Sequence, residues 1–187
     1  MNDTEAINSV KQGNANAYRY LVEKYQDMAY SLAFSIVKNS EAAEEVTQDA
    51  FLKAYQNLHQ FEQRAKFSTW FYRIVTNEAL KLIRKKEYKH SDDIDELNDQ
   101  QYAEINNSIA SFTEQEQRYY INKGLARLLP KDSLVLRLYY LEENSLKDVK
   151  EITGFTITNI KTILHRARKR FYHVLKDELR HELKSIL

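Results

Sequence analysis

No cysteine occurs in the 187 residues, which excludes a disulfide framework, a thiolate zinc site and a cysteine nucleophile. Glycine and proline are almost as scarce: Gly13, Gly124, Gly154 and Pro130 make up the whole set. A sheet-rich domain of this length needs many tight turns, so the scarcity points to helices with short joints. No apolar run approaches membrane-spanning length, and the opening MNDTEAINSVKQGN lacks the apolar stretch of a signal peptide. The expectation is a cytoplasmic protein with no direct membrane insertion. Neither a glycine-rich phosphate loop nor a nucleophile–base pair is present, so nothing points to an enzyme or calls for a cofactor or metal.

Net charge is also small, at +1, but the charges are segregated. Asp92, Asp93, Asp95, Glu96, Asp99 and Glu104 form an acidic middle with no basic residue among them. Lys81, Arg84, Lys85 and Lys86 precede it, and a second basic cluster lies between Lys161 and Arg170. Two basic patches separated by an acidic span suggest two contacts with a polyanion.

The second patch sits in a recognisable pattern, SLKDVKEITGFTITNIKTILHRARKR, from Ser145 to Arg170. Leu146, Val149 and Ile152 share one face of a first helix, Gly154 supplies the turn, and Thr156 is a good N-cap for a second helix. That second helix repeats Ile157, Ile160, Leu164, Ala167 and Phe171 at spacings of three and four, and its other faces are polar and basic. This is the layout of a helix-turn-helix whose second helix enters the major groove of DNA. An ordinary helical hairpin would show the apolar spacing as well, but not small polar residues at the helix start followed by concentrated positive charge.

Helical periodicity covers most of the remaining chain. The pattern predicts helices over about 3–12, 16–38, 40–58 and 67–86, with a polar joint at 59–66. It fades from about Glu87 to Ser111, read as a flexible linker with a transient helix near 101–109. The predicted fold is all-α, with two small helical domains (1–90 and 112–187) joined by a flexible acidic linker (91–111), the second containing the helix-turn-helix.

The chain then resembles a known family. AEEVTQDAFLKAYQNLHQF (Ala43–Phe61) followed by KFSTWFYRIVTNEALKLIRKK (Lys66–Lys86) resembles region two of bacterial sigma factors. LPKDSLVLRLYYLEENSLKDVKEITGFTITNIKTILHRARKRF (Leu129–Phe171) resembles their region four. The subgroup it resembles is the extracytoplasmic-function, or group IV, sigma factors, which keep only these two domains. The resemblance implies core RNA polymerase as a partner and promoter DNA as the target, both as duplex and as a melted non-template strand. It also admits an anti-sigma partner.

The roles that the resemblance carries over fall on three sets of residues. Gln48, Asp49 and Leu52 fall on the surface that docks on polymerase. Arg73, Asn77, Lys81 and Arg84 form one stripe on the fourth helix, suited to backbone phosphates and, at Asn77, to a base edge of the minus-ten element. Phe61 and Phe67, with Trp70 and Tyr72 nearby, are candidates for stabilising unstacked bases. In the reading helix, Thr158, Asn159, Lys161, Thr162, His165, Arg166 and Lys169 are expected to face the minus-thirty-five duplex. Here the chain departs from the family's Thr-Val-Lys-Ser-Arg-Leu string, with Asn159 for Thr and Ile163 for Arg, so Ile163 is expected to present a methyl-reading group to DNA. For Arg166 the alternative is an ion pair with an acid such as Glu151.

Two rival readings exist. Glu87-x-x-His90 and Glu178-x-x-His181 have the spacing of a carboxylate-bridged metal bundle, but both lie in highly charged segments. A stand-alone helix-turn-helix regulator would use the second domain in the same way, and it leaves the Gln48–Asp49 face and the Arg73–Arg84 stripe without a purpose.

Overall fold

The computed structural model describes residues 1–83 and 99–185. Among these residues the chain forms nine α-helices and no strand: α1 (Asp3–Lys11), α2 (Tyr18–Val37), α3 (Ser40–Asn57), α4 (Phe67–Ile83), α5 (Asp99–Ala110), α6 (Glu114–Arg127), α7 (Pro130–Leu136), α8 (Leu146–Thr153) and α9 (Ile157–Ser185). A single π-turn, Arg137–Leu141, prolongs α7. The all-α expectation holds.

Side chains at the helix starts explain the boundaries. Asn2 with Glu5, Thr113 with Glu116, and Ser145 with Asp148 form reciprocal caps that satisfy orphan N–H groups at α1, α6 and α8. Asn39 caps α3, its side chain accepting from the Ala42 N–H. Pro130 occupies the first turn of α7, where its missing N–H costs nothing. Gly154 ends α8 in the left-handed region at φ 74°, as the turn requires.

The first unit, α1–α4, is packed around aromatic rings. Phe51 meets Phe71 at 4.5 Å between centroids and Tyr25 meets Phe67 at 5.3 Å. The second unit, α6–α9, has an aliphatic centre built from Leu134, Leu138, Val149, Ile152 and Ile160. A Cβ on Gly124 would stand 2.8 Å from Phe171, so the glycine allows α6 its close approach to α9.

The helix expected near 101–109 is present as α5, and it is docked on α9 by Ile105 against Leu175 and by Tyr102 edge-on to Tyr172 at 4.7 Å. The rest of the linker lies outside the described residues. The two units also pack on each other. α8 packs along α4, α7 packs along α2, and one apolar cluster runs through both. The cause is on α4: Phe71 and Val75 bury one side of it, and Thr69, Tyr72 and Thr76 bury the next.

Candidate nucleic-acid interface

The reading helix α9 is capped by Thr156, whose hydroxyl accepts the Asn159 N–H at 3.2 Å. Its inward stripe is Ile160, Ile163, Leu164 and Ala167. Thr158, Asn159, Lys161, Thr162 and His165 are exposed along the opposite side, and Lys169 is half-buried. Ile163 is 3% exposed, so the expectation that it presents a group outward is wrong. It lies three residues from Ile160 and four from Ala167, and that spacing turns it into the core.

Arg166 has a partner that sequence reasoning missed. Asp132, in the first turn of α7, is fully buried and accepts from Arg166 at 2.9 Å and from Arg170 at 2.6 Å. Arg170 is itself buried, while Arg166 keeps part of its side chain in water. The anticipated alternative for Arg166, an ion pair with an acid such as Glu151, holds in kind, with Asp132 as the acid. The available signal was an acid two residues before the apolar run Leu134–Leu136, but the same acid also suits a helix N-terminus. Asp132 clamps the middle of α9 to α7 and so fixes the pitch at which the exposed residues are presented.

In the first unit Arg73, Asn77 and Lys81 are exposed in one row on α4; Arg84 lies outside the described residues. Trp70 sits on the same side, half-buried, with Phe61 at 5.0 Å and Phe67 at 5.7 Å behind it. Phe61 and Phe67 are only 5% and 3% exposed. They are core residues that support Trp70, not open stacking surfaces: the 59–66 joint turns Phe61 inward and the first turn of α4 does the same for Phe67. Lys11 of α1 donates to the Phe61 carbonyl at 2.6 Å and holds that joint in place.

Beside the row lies a polar cavity of about 490 Å³ between the end of α3 and α4. Lys53, Asn57 and Gln60 form one wall and Trp70, Asn77 and Lys81 the other. The α3 residues of this wall were not singled out from sequence, because the contact across to α4 is tertiary. Glu78 ties the walls together, accepting from Lys53 across the helix pair and from Lys81 at 2.7 Å. Burial alone would raise the Glu78 carboxyl, but the two lysines outweigh it and hold the group below the usual carboxylate range. Amide and ammonium donors around an aromatic edge can hold an unstacked base and its phosphates.

On α3, Gln48, Asp49 and Leu52 are exposed, with Leu52 at 56%, whereas Phe51 and Ala54 face the core. A large apolar residue flanked by polar ones is the composition of a protein-docking face. Among the described residues no group of acids and histidines could hold a metal ion, and no helix is long and apolar enough to cross a membrane. Glu178 is engaged by Lys123 at 2.6 Å and Arg127 at 2.5 Å; Glu87 and His90 lie outside the described residues.

Residues 21–88 match the Sigma-70 region 2 family and residues 124–173 match Sigma-70, region 4. The chain is 31% identical over 178 residues to the ECF RNA polymerase sigma factor SigW of Bacillus subtilis, covering 91% of this chain and 95% of that protein. This chain belongs to the ECF sigma factors. Solved structures agree in fold. CnrH in complex with the cytosolic domain of CnrY has a TM-score of 0.64 at 19% identity, over 94% of this chain and 97% of that one. The sigma factor RpoE in complex with the anti-sigma factor NepR from Bartonella quintana has a TM-score of 0.63 at 21% identity, over 85% and 96%. In this sigma factor the region-two match spans the α3 face, the cavity and the α4 row, and the region-four match spans the exposed side of α9.

Proposed function

We propose that this sigma factor binds core RNA polymerase and directs it to promoters, working in the cytoplasm as a specificity subunit and not as an enzyme. Gln48, Asp49 and Leu52 on α3 dock on polymerase. Arg73 and Lys81 hold phosphates of the melted non-template strand at the minus-ten element, Asn77 reads a base edge, and Arg84 supplies a further cation for the same strand. The cavity bounded by Asn57, Gln60 and Trp70 receives an unstacked base, with Phe61 and Phe67 as its apolar backing. Asn159, Lys161, Thr162 and His165, with Thr158 beside them, read the minus-thirty-five duplex. Lys169 and the exposed part of Arg166 contribute phosphate contacts there. An anti-sigma partner is compatible with this reading; the Bartonella quintana structure holds one on its own sigma factor.

The observation that carries the reading is the pairing of two exposed polar rows, one on each unit, with an uncovered docking face on α3. A stand-alone regulator would need only the row on α9. Run-off transcription with core polymerase and this chain separates the two: promoter-specific transcripts from core plus chain are expected, with weak promoter binding by the chain alone. Tight sequence-specific duplex binding by the free chain, with no gain from core enzyme, would favour the regulator.

A further inference from the structure

Arg137 carries a positive charge into the interior with no acid to pair it. It stands in the π-turn after α7 and is 8% exposed. Its guanidinium donates to Asn122 Oδ1 of α6 at 2.6 Å, an amide and not a carboxylate. Among the described residues it forms no ion pair, and Glu142 acts on it only from beyond bonding distance. Nearby, the Lys38 ammonium at the end of α2 donates to the Leu125 carbonyl at 2.7 Å and likewise has no acid partner among these residues. Burial, with Arg137 adding like charge, lowers that ammonium to about 7. A cation taken out of water is costly unless an anion accompanies it.

Beside Arg137 lies a cavity of about 230 Å³, walled by Ser31 and Ser35 of α2 on one side and by Asn122, Ser133 and Arg137 on the other. Ser133 is fully buried, and its hydroxyl has no hydrogen-bond partner; neither has the Nε–H of Arg137. Unpartnered buried donors are rare, and here two residues that carry them line one cavity. Among the described residues no acid lines it. The polar cavity beside α4 is different in this respect, because Glu78 balances its two lysines. The volume exceeds the few tens of Å³ that one water needs and falls short of the roughly 300–1,000 Å³ of pockets for drug-sized ligands.

We propose that this cavity is a binding site for a small oxyanion of the phosphate class, held by the Arg137 guanidinium, the Ser133 hydroxyl and the Asn122 amide NH₂. Lys38 adds positive charge from beside the cavity. Water would satisfy the two orphan donors and leave the charge uncompensated. A halide would supply charge but offers a single accepting atom. A tetrahedral oxyanion does both, and a guanidinium fork matches two of its oxygens. The bound anion would tie α2 to α6 and to the end of α7. The proposal does not depend on promoter reading and stands or falls on the chain alone.

Inorganic phosphate titrated into the full free chain in a calorimeter is expected to bind at one site. It should also raise the thermal unfolding midpoint, increasingly with concentration, where sodium chloride of matched ionic strength does not. Phosphate stabilises proteins generally by exclusion from their surfaces, so variants decide the matter. Arg137→Met should lose the calorimetric binding and the gain in midpoint, and Ser133→Ala should weaken affinity about tenfold. Asn122→Asp supplies the negative charge from the protein itself. It should raise the midpoint in the absence of phosphate and abolish the further gain, which keeps the proposal testable if Arg137→Met does not fold. No calorimetric binding to the folded wild-type chain overturns the site and assigns the cavity to water. So does a gain in midpoint that chloride reproduces, or one that Asn122→Asp retains in full.

Discussion

The same device, one acid between two cations, occurs in both units, and its setting differs. In region two, Glu78 joins Lys53 and Lys81, whose ends are in water. In region four, Asp132 joins Arg166 and Arg170 with no exposure of its own. The first arrangement trims charge on an exposed row that already stands on an aromatic core. The second is itself part of the core and sets the pose of the reading helix. Equal geometry therefore predicts unequal consequences, since a buried charge left alone is far costlier than a solvated one.

The largest effect is expected from Asp132→Ala. It removes the buried acid that both guanidinium groups share and that holds α7 to α9, and should destabilise region four by about 3–5 kcal/mol. Urea unfolding of the full chain should show a marked drop in midpoint, with upstream-element recognition lost in parallel. A change under about 1 kcal/mol would mean the clamp is solvated in practice and that the two acids are equivalent after all.

Next come contacts that form only in the working complex. Asn77→Ala should reduce open-complex formation by about 10- to 100-fold, corresponding to about 1–3 kcal/mol for a base-edge contact. Initial promoter binding should change less, because the base is reached only after melting. Permanganate reactivity of thymines at the minus-ten element separates the two steps, and normal reactivity would remove Asn77 as a reader. The double change Gln48→Ala, Asp49→Ala should weaken core binding by about 1–3 kcal/mol without altering the unfolding midpoint. Unchanged core affinity in a pull-down would move the docking surface elsewhere.

Which parts were legible in the sequence follows the same division. Local signals survived: the Gly154 turn, the Thr156 cap and the apolar spacing of α9 were all readable, as was the exposed Arg73–Asn77–Lys81 row. What failed depended on contacts between distant segments. Asp132 lies 34 residues from Arg166, and no local pattern joins them. Phe61 and Phe67 read as open aromatics because burial of the 59–66 joint depends on Lys11 and the rings of α4. Ile163 was placed by analogy with an arginine position, whereas its own apolar neighbours at spacings of three and four pointed inward. The packing of the second unit on α2 and α4 was hidden because Thr69 and Thr76 look polar in sequence, yet both are buried.

The contact between the units offers a pH test of intermediate size. Lys38, at the end of α2, donates to the Leu125 carbonyl of α6 at 2.7 Å. Burial, with Arg137 adding like charge, lowers its ammonium from the ordinary 10.5 to about 7. Folding therefore releases a proton between pH 7 and 10.5. Stability should rise with pH through that window, by at most about 1.4 kcal/mol per pH unit, and lose the gain as pH falls to 7. The urea midpoint of the full chain should climb from pH 7 to pH 9, and Lys38→Met should flatten the climb. A climb that persists in that variant would assign the proton to another group.

The smallest effect is expected at the solvated counterpart of Asp132. Glu78→Gln removes the acid but leaves Lys53 and Lys81 free to turn into water, where each is 40–60% exposed. Stability should change by only about 0–1 kcal/mol, because Gln keeps the shape and hydrogen-bonding of the side chain and the two lysines remain in reach of water. Function should move in the opposite sense to that at Asp132. With its acid gone, the wall of the cavity carries one more unbalanced positive charge beside Asn77, so promoter binding by the polymerase complex should become more salt-dependent, by about one unit of slope. That slope is read from affinities across a salt series, with the unfolding midpoint as control. A stability loss as large as that of Asp132→Ala, or a slope that falls, would show that Glu78 holds the α3–α4 pair together structurally and that its lysines do not face the DNA backbone.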